Sequence, residues 1–462
     1  MKHICTLLVI AISSFTVSAQ LRLPAVISSN MVLQRNDSVN LWGWSAPGSK
    51  VYITTGWNNR TDSATTDNGA WWRLKVATPA AGGPYEITIA SHDTIVLKDV
   101  LIGEVWVCSG QSNMEMSYSW GEKNVGEELA TAYNKNIRFF QVPKSTSDFP
   151  QDDVKAQWTL CDSNTLKTFS AVAYFFGKRL NKELDVPVGL IHTSWGGTPA
   201  EVWTPASYIE KDTALSAAAS RLSAYKGWPS IPGKTFNAMI APFTSFNIAG
   251  AIWYQGEANT GTYATYTRLL TTMIDAWRDA WKKELPFYYV QIAPFDYGEG
   301  NKGALLQEAQ TKAMTHPKVG MVVTTDLIDS VTNIHPSHKR EVGNRLAGWA
   351  LAETYKKPGI TYKSPMLKDG ALNKGKMTLS FDNAPTGLRA TGKKVEGFFV
   401  AGEDGQWLPA NVTIEKDNVT VWNKKLRDPK YVRYGFGNTI IGNLFSMEGL
   451  PAVPFRTDSF PE

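Results

Sequence analysis

Apolar and polar positions alternate in short runs between residues 20 and 99. Val39-Asn40-Leu41-Trp42-Gly43-Trp44, Lys50-Val51-Tyr52-Ile53-Thr54 and Tyr85-Glu86-Ile87-Thr88-Ile89 show the two-residue period or the β-branched content of strands. Ala46-Pro47-Gly48-Ser49, Asp67-Asn68-Gly69 and Gly82-Gly83-Pro84 separate them as turns. A small β-sandwich is the predicted outcome. From about residue 100 the rhythm changes. Apolar strands are predicted at 100–107, 188–193, 249–254, 287–292 and 320–325. Helices are predicted at 171–184, where Val172, Phe175, Phe176 and Leu180 share one face, and at 266–281, 304–314 and 338–355. Strands alternating with helices imply an α/β fold with a parallel sheet covered on both faces, its active residues lying beyond the carboxyl ends of the strands. After residue 356 short β runs return, at 376–381, 397–401 and 418–422. This region forms a sandwich of its own or completes the first one.

The start of the chain reads as a secretory signal. Lys2 supplies the positive charge, residues 4–12 are apolar, and Val17-Ser18-Ala19 offers a small-residue cleavage site before Gln20. No apolar run is long enough to span a bilayer. The expected organisation is a signal peptide at 1–19, a β-sandwich at 20–99, an α/β domain at 100–356 and a β-rich region at 357–462. Localisation is expected to be periplasmic or extracellular. The net charge of +5 falls to +4 without residues 1–19, too mild and scattered to argue for nucleic acid. The 17 Trp suggest sugar-stacking surfaces or well-filled sandwich cores. Cys108 and Cys161 are either a disulfide or buried free thiols. No Cys/His cluster has metal-ligand spacing.

Four segments at predicted strand ends carry candidate chemistry. In Ser109-Gly110-Gln111-Ser112-Asn113-Met114 a serine follows an apolar strand, so its hydroxyl and N–H are available to a ligand unless it only caps a helix. In Ser194-Trp195-Gly196-Gly197-Thr198-Pro199 two glycines permit close backbone approach. In Trp253-Tyr254-Gln255-Gly256-Glu257-Ala258-Asn259 the side-chain amide of Gln255 or Asn259 offers an oxyanion donor. In the loop from Asp326 to Lys339, His335 precedes a helix-starting proline. A serine and a later histidine, each at a strand end of one sheet, are what a hydrolase site requires.

These segments closely resemble the sialate O-acetylesterase family of the SGNH/GDSL hydrolases. Gly110-Gln111-Ser112-Asn113-Met114 looks like its nucleophile block, and Trp195 to Glu201 and Trp253 to Asn259 look like its oxyanion-hole blocks. Ile334-His335-Pro336, with Lys339, Val342, Gly343 and Arg345, looks like its histidine block; Leu23-Pro24 and Asn30-Met31-Val32-Leu33-Gln34 fit its opening. The resemblance implies an SGNH-like parallel sheet flanked by helices, with accessory all-β regions at both ends. It implies that Ser112 attacks an acetyl ester on a sugar, with His335 as base, and that Ser112, Gly197 and Gln255 or Asn259 hold the oxyanion. No metal or cofactor is then needed. One departure stands out: the family often has Asp two residues before the histidine, and here that position is Asn333. Asp329 and Asp326 are the nearby carboxylates, with Asp329 expected to fold back onto His335. Trp195, Trp203 and Tyr263 are expected to line the sugar side of the cleft. The expected partner is an O-acetylated carbohydrate, sialic acid or a plant polysaccharide such as xylan, xyloglucan or pectin. A non-catalytic glycan binder is the competing reading, and it has no need for Ser112 and His335 to meet.

Overall fold

The strand Thr94–Gly110 is the axis of the molecule. Its first half belongs to an N-terminal β region, where it runs antiparallel to Gly82–Ala90 and parallel to Val32–Gln34. Its second half is a central strand of a parallel sheet, flanked by Gly250–Tyr254 on one side and Val188–Ser194 on the other. The computed structural model describes residues 20–223 and 226–461, so the predicted signal peptide lies outside the described residues. The order across the parallel sheet is Val319–Val322, Phe287–Val290, Gly250–Tyr254, Thr94–Gly110, Val188–Ser194, Asn134–Gln141. Trp158–Cys161 closes the far edge antiparallel. Every residue of Val188–Ser194, Gly250–Tyr254 and Phe287–Val290 is buried. That is what a sheet covered on both faces demands, and it explains why these strands read as continuous apolar runs.

Two large apolar clusters cover the faces. One joins Trp203, Trp253 and Trp277 to the N-terminal sandwich residues Trp42, Ile53 and Val100; the other packs Trp106, Ile252 and Leu190 under Phe176 and Leu346. Most of the tryptophan content is thus spent on packing. The helix Ala171–Leu184 appears where the apolar face predicted it, started by Ser170, whose Oγ accepts the Ala173 N–H at 3.1 Å. The same hydroxyl donates to Met114 O at 2.6 Å and fastens this helix to the segment that carries Ser112. The helix predicted at 338–355 is shorter: regular α-helix covers Lys339–Trp349 and widens to a π turn at Ala350–Thr354.

The N-terminal region is a two-layer sandwich, its second layer formed by Ser38–Trp44 and Trp71–Ala77. The border drawn at residue 99 falls inside the unbroken strand Thr94–Gly110. The C-terminal β region forms separate antiparallel sheets around its own apolar core, which includes Leu379, Val400, Val419 and Val432. It stands as a sandwich of its own and does not complete the first. Cys108 and Cys161 are free, buried thiols, not a disulfide; burial raises both thiol pKa values, Cys161 to about 12. Among the described residues no helix is long and apolar enough to cross a membrane.

Candidate active site

Ser112 is delivered by a sharp turn that depends on glycine. Gly110 has φ +141°, and a Cβ there would stand 2.2 Å from Tyr254 O, the atom that also accepts the Gln111 N–H. The chain then enters a single helical turn, Ser112–Glu115, with Ser112 as its first residue. Next to it, Glu115 Oε2 accepts the Gly196 N–H at 2.7 Å and so draws the glycine loop against Ser112. Gly197 has φ +75° and lies under the Trp228 ring, where a Cβ would approach to 2.4 Å. Among the described residues, nothing accepts the N–H of Ser112 or of Gly197. These are the two backbone donors expected of an oxyanion hole.

His335 reaches the same cavity from the loop before Lys339–Trp349. The cavity measures about 700 Å³ and is lined by Gln111, Ser112, Trp120, Gly196, Gly197, Trp228, Glu257 and His335, among others. The two residues of the predicted nucleophile–base pair therefore face one space, although no hydrogen bond joins them among the described contacts. The His335 ring packs beside Trp120, with centroids 5.6 Å apart. Burial, and then the Lys339 charge, lower its pKa from the ordinary 6.5. A neutral imidazole is the form that can accept a proton.

The carboxylates expected near His335 are committed elsewhere. Asp326 makes a two-pronged ion pair with Arg345, at 2.8 and 2.6 Å. Asp329 accepts from the Ser337 N–H at 3.0 Å and Ser337 Oγ at 2.9 Å, and His338 Nε2 lies 3.6 Å from its Oδ1. Burial alone would raise the Asp329 pKa, but the Ser337 bonds and His338 hold it below the usual carboxylate range. Asn333 turns its Oδ1 onto the backbone N–H of His335 at 3.0 Å, a local turn contact that leaves the ring untouched. Among the described residues, histidine–carboxylate pairs form at His316 and His338, not at His335.

Gln255 and Asn259, expected as oxyanion donors, turn their amides away from the cavity. Both are fully buried and lie outside the cavity lining. Gln255 Nε2 donates to Thr198 O and Asn259 Oδ1; Asn259 Nδ2 donates to Glu201 Oε2 and Thr262 Oγ1. Their amides stitch the turn after Gly250–Tyr254 to the loop after Val188–Ser194. A different amide faces the cavity. Gln111 Oε1 accepts the N–H groups of Gly256 and Ala258, which fixes the orientation of the side chain and leaves its Nε2 without a described protein partner. Gln111 stands beside Ser112 in the sequence but was not among the expected donors.

The aromatic walls also differ from expectation. Trp203 is fully buried, with its Nε1 on Thr198 Oγ1. Trp195 and Tyr263 pack partly buried against the larger core and do not line the cavity. Trp120 and Trp228 take their place, 45% and 46% exposed on the cavity wall. Their exposure is invisible in a sequence where most Trp serve the core.

A serine at a strand-to-helix turn, a histidine from a later loop and two unengaged N–H groups around one cavity, on an SGNH-like sheet, are the arrangement a serine hydrolase calls for. The sequence profile of the carbohydrate esterases described as sialic acid-specific acetylesterases matches residues 102–355, and the chain belongs to that family. The sialate O-acetylesterases of Homo sapiens and Mus musculus are each 28% identical to it, over 87% and 88% of this chain and 84% and 87% of theirs. A crystal structure of a carbohydrate acetylesterase from Xanthomonas citri superposes with a TM-score of 0.87 at 32% identity, covering 96% of this chain and all of that one. The protein is a carbohydrate O-acetylesterase, a carboxylic ester hydrolase.

Proposed function

We propose that Ser112 and His335 work as a dyad that removes acetyl groups from O-acetylated sialic acid. His335 accepts the Ser112 Oγ proton as Oγ attacks the acetyl carbonyl carbon. The oxyanion is held by the N–H groups of Ser112 and Gly197, with Gln111 Nε2 as third donor; each such donor is worth about two to three orders of magnitude in rate. Collapse expels the sugar oxygen, which takes the proton from His335. A water molecule then attacks the acetyl-enzyme, with His335 again as base, and releases acetate. The observation that carries this reading is the convergence of Ser112 and His335 on one cavity walled by exposed Trp120 and Trp228. Hydrolysis of 4-nitrophenyl acetate tests it: activity lost in Ser112→Ala and His335→Ala supports the dyad, and an inert wild type sinks it.

The sialate preference follows the curated relatives. A neutral acetylated glycan is the second reading, and one observation favours it. Lys144, the cation on the cavity wall, is already paired with Glu115 at 2.5 Å and is poorly placed to receive a sugar carboxylate. Acetate release from acetylated sialic acid against acetylated xylan and xyloglucan separates the two. The apolar segment at 4–12 and the Val17-Ser18-Ala19 site support export to the periplasm or beyond. Mass spectrometry of protein from its native host checks this, since an intact Met1 in the mature protein refutes it.

A further inference from the structure

Three buried polar side chains that the acyl-transfer steps leave unused meet behind Ser112. Asn113 Nδ2 donates to Glu257 Oε1 at 2.6 Å and to the backbone oxygen of Ile334 at 3.0 Å. Asn113 Oδ1 accepts from Lys339 Nζ at 2.6 Å. Asn113 and Lys339 are wholly inaccessible to solvent, and Glu257 is nearly so. The Lys339 ammonium also sits 5.3 Å from the centre of the Tyr254 ring. Each residue comes from a different part of the fold: the nucleophile turn, the turn after Gly250–Tyr254, and the first residue of the helix that follows the His335 loop. Ile334 and Lys339 bracket His335. The loop that carries the base is thus tied on both sides to the residue next to the nucleophile. Burying an ammonium and a carboxylate costs stability that apolar side chains of the same size would not, so packing alone gives no reason for this trio.

We propose that Asn113, Glu257 and Lys339 form a positioning unit that locks the His335 loop onto the Ser112 turn, doing through the loop backbone what a triad carboxylate does through the imidazole ring. The inference rests on the dyad reading. With Asp326, Asp329 and Asn333 engaged elsewhere, no carboxylate among the described residues pairs with the ring, and its placement depends on the loop. A shift of about 1 Å in such a group costs about a hundredfold in rate. The electrostatics agree with the geometry. The charged groups around Lys339 are Glu257, Glu122 and Asp329; burial nevertheless lowers its pKa to about 7, and burial raises that of Glu257. The Lys339 charge in turn opposes protonation of His335.

The test compares wild type, Asn113→Ala and Lys339→Met. It measures kcat and KM for 4-nitrophenyl acetate from about pH 5 to 9, the melting transition, and the NMR titration of the His335 imidazole, assigned by its loss in His335→Asn. Asn113→Ala is expected to melt cooperatively with kcat about a hundredfold lower and KM within about threefold of wild type. Lys339→Met is expected to move the His335 titration and the acidic limb of kcat/KM to higher pH by about half a unit or more, because no cation then opposes protonation. Should Lys339→Met fail to fold, Lys339→Gln, which keeps a donor for Asn113 Oδ1, supplies the same titration. A folded Asn113→Ala with kcat within about threefold of wild type overturns the proposal, and so does an unmoved His335 titration in the Lys339 variant. If wild type and Ser112→Ala are equally inert, the esterase mechanism fails separately. The NMR arm then decides alone: a His335 signal in Asn113→Ala with wild-type shift and titration overturns the positioning unit, and an altered one supports it.

Discussion

Replacing Asp326 by Ala separates a structural carboxylate from a catalytic one. The Asp326–Arg345 pair has both side chains 16% exposed, and Arg345 also donates to Val323 O at 2.7 Å. Removing one partner of a buried pair costs about 3–5 kcal/mol, since the other charge is left uncompensated. Partial exposure and the surviving bond to Val323 place this case at the lower end, about 3 kcal/mol. For a domain of about 250 residues each kcal/mol moves the midpoint by about 2–4 °C, so Asp326→Ala is expected to melt about 6–12 °C lower. Asp326 makes no contact with His335, so kcat/KM at 25 °C should stay within about threefold of wild type. Scanning calorimetry and 4-nitrophenyl acetate kinetics on the same preparation read both quantities. A loss of about four orders of magnitude in kcat with an unchanged melting point would be the signature of a triad acid, and it would refute the reasoning.

Three further outcomes are expected. The acidic limb of kcat/KM should have its midpoint below 6.5, because burial and the Lys339 charge depress the His335 pKa and the base form persists as pH falls; a midpoint at or above 6.5 in a pH–rate profile contradicts this. His192 is fully buried beside Ser194, and burial lowers its pKa from 6.5 to about 3. Its stabilising contribution is therefore complete above pH 6.5 and is lost as pH falls from there toward 3, roughly 2–3 kcal/mol by pH 4.5. Denaturant unfolding at pH 7 and 4.5 should show a smaller acid loss in His192→Gln than in wild type, and equal losses would discount His192. Trp120→Ala and Trp228→Ala should each raise KM for an acetylated glycan about tenfold more than KM for 4-nitrophenyl acetate, the order of one lost sugar–aromatic contact; equal effects on both substrates would mean a packing role.

The sheet was legible because its strands are buried on both faces, and uninterrupted runs such as Val188–Ser194 leave little other reading. The last two strands on that side of the sheet, Asn134–Gln141 and the edge strand Trp158–Cys161, were missed: Asn134, Lys135, Asn136 and Arg138 break the apolar run of the first. Ser112 and His335 were legible as ends of strands that one parallel sheet must bring to one side. What each neighbouring polar group bonds to was not. Gln255, Asn259, Asp326 and Asp329 all lie within reach of the chemistry in sequence, but each is claimed by a partner that only the folded chain supplies: Thr198, Glu201, Arg345 and Ser337. The same holds for tryptophan. Trp203 beside the glycine loop is core, whereas Trp120, at the end of a short 3-10 turn, and Trp228 are wall.

The seventeen-residue strand that begins in the N-terminal sandwich and ends at Gly110 decides which parts of the protein can be cut apart. A cut at residue 99 would part Val32, Leu33 and Gln34 from Leu101, Ile102 and Gly103, part Tyr85 from Val100 and Gly82 from Ile102, and fray the strand whose far end holds the Ser112 turn. Opening of the sandwich and opening of the active site are therefore expected to be one cooperative event. The C-terminal sandwich, whose strands pair only with one another among the described residues, meets the esterase through side-chain contacts such as Arg456 with Glu308. A cut near residue 357 therefore severs no strand pairing among the described residues, whereas one near residue 99 falls inside a strand, where the sandwich acts as a buttress to the esterase sheet.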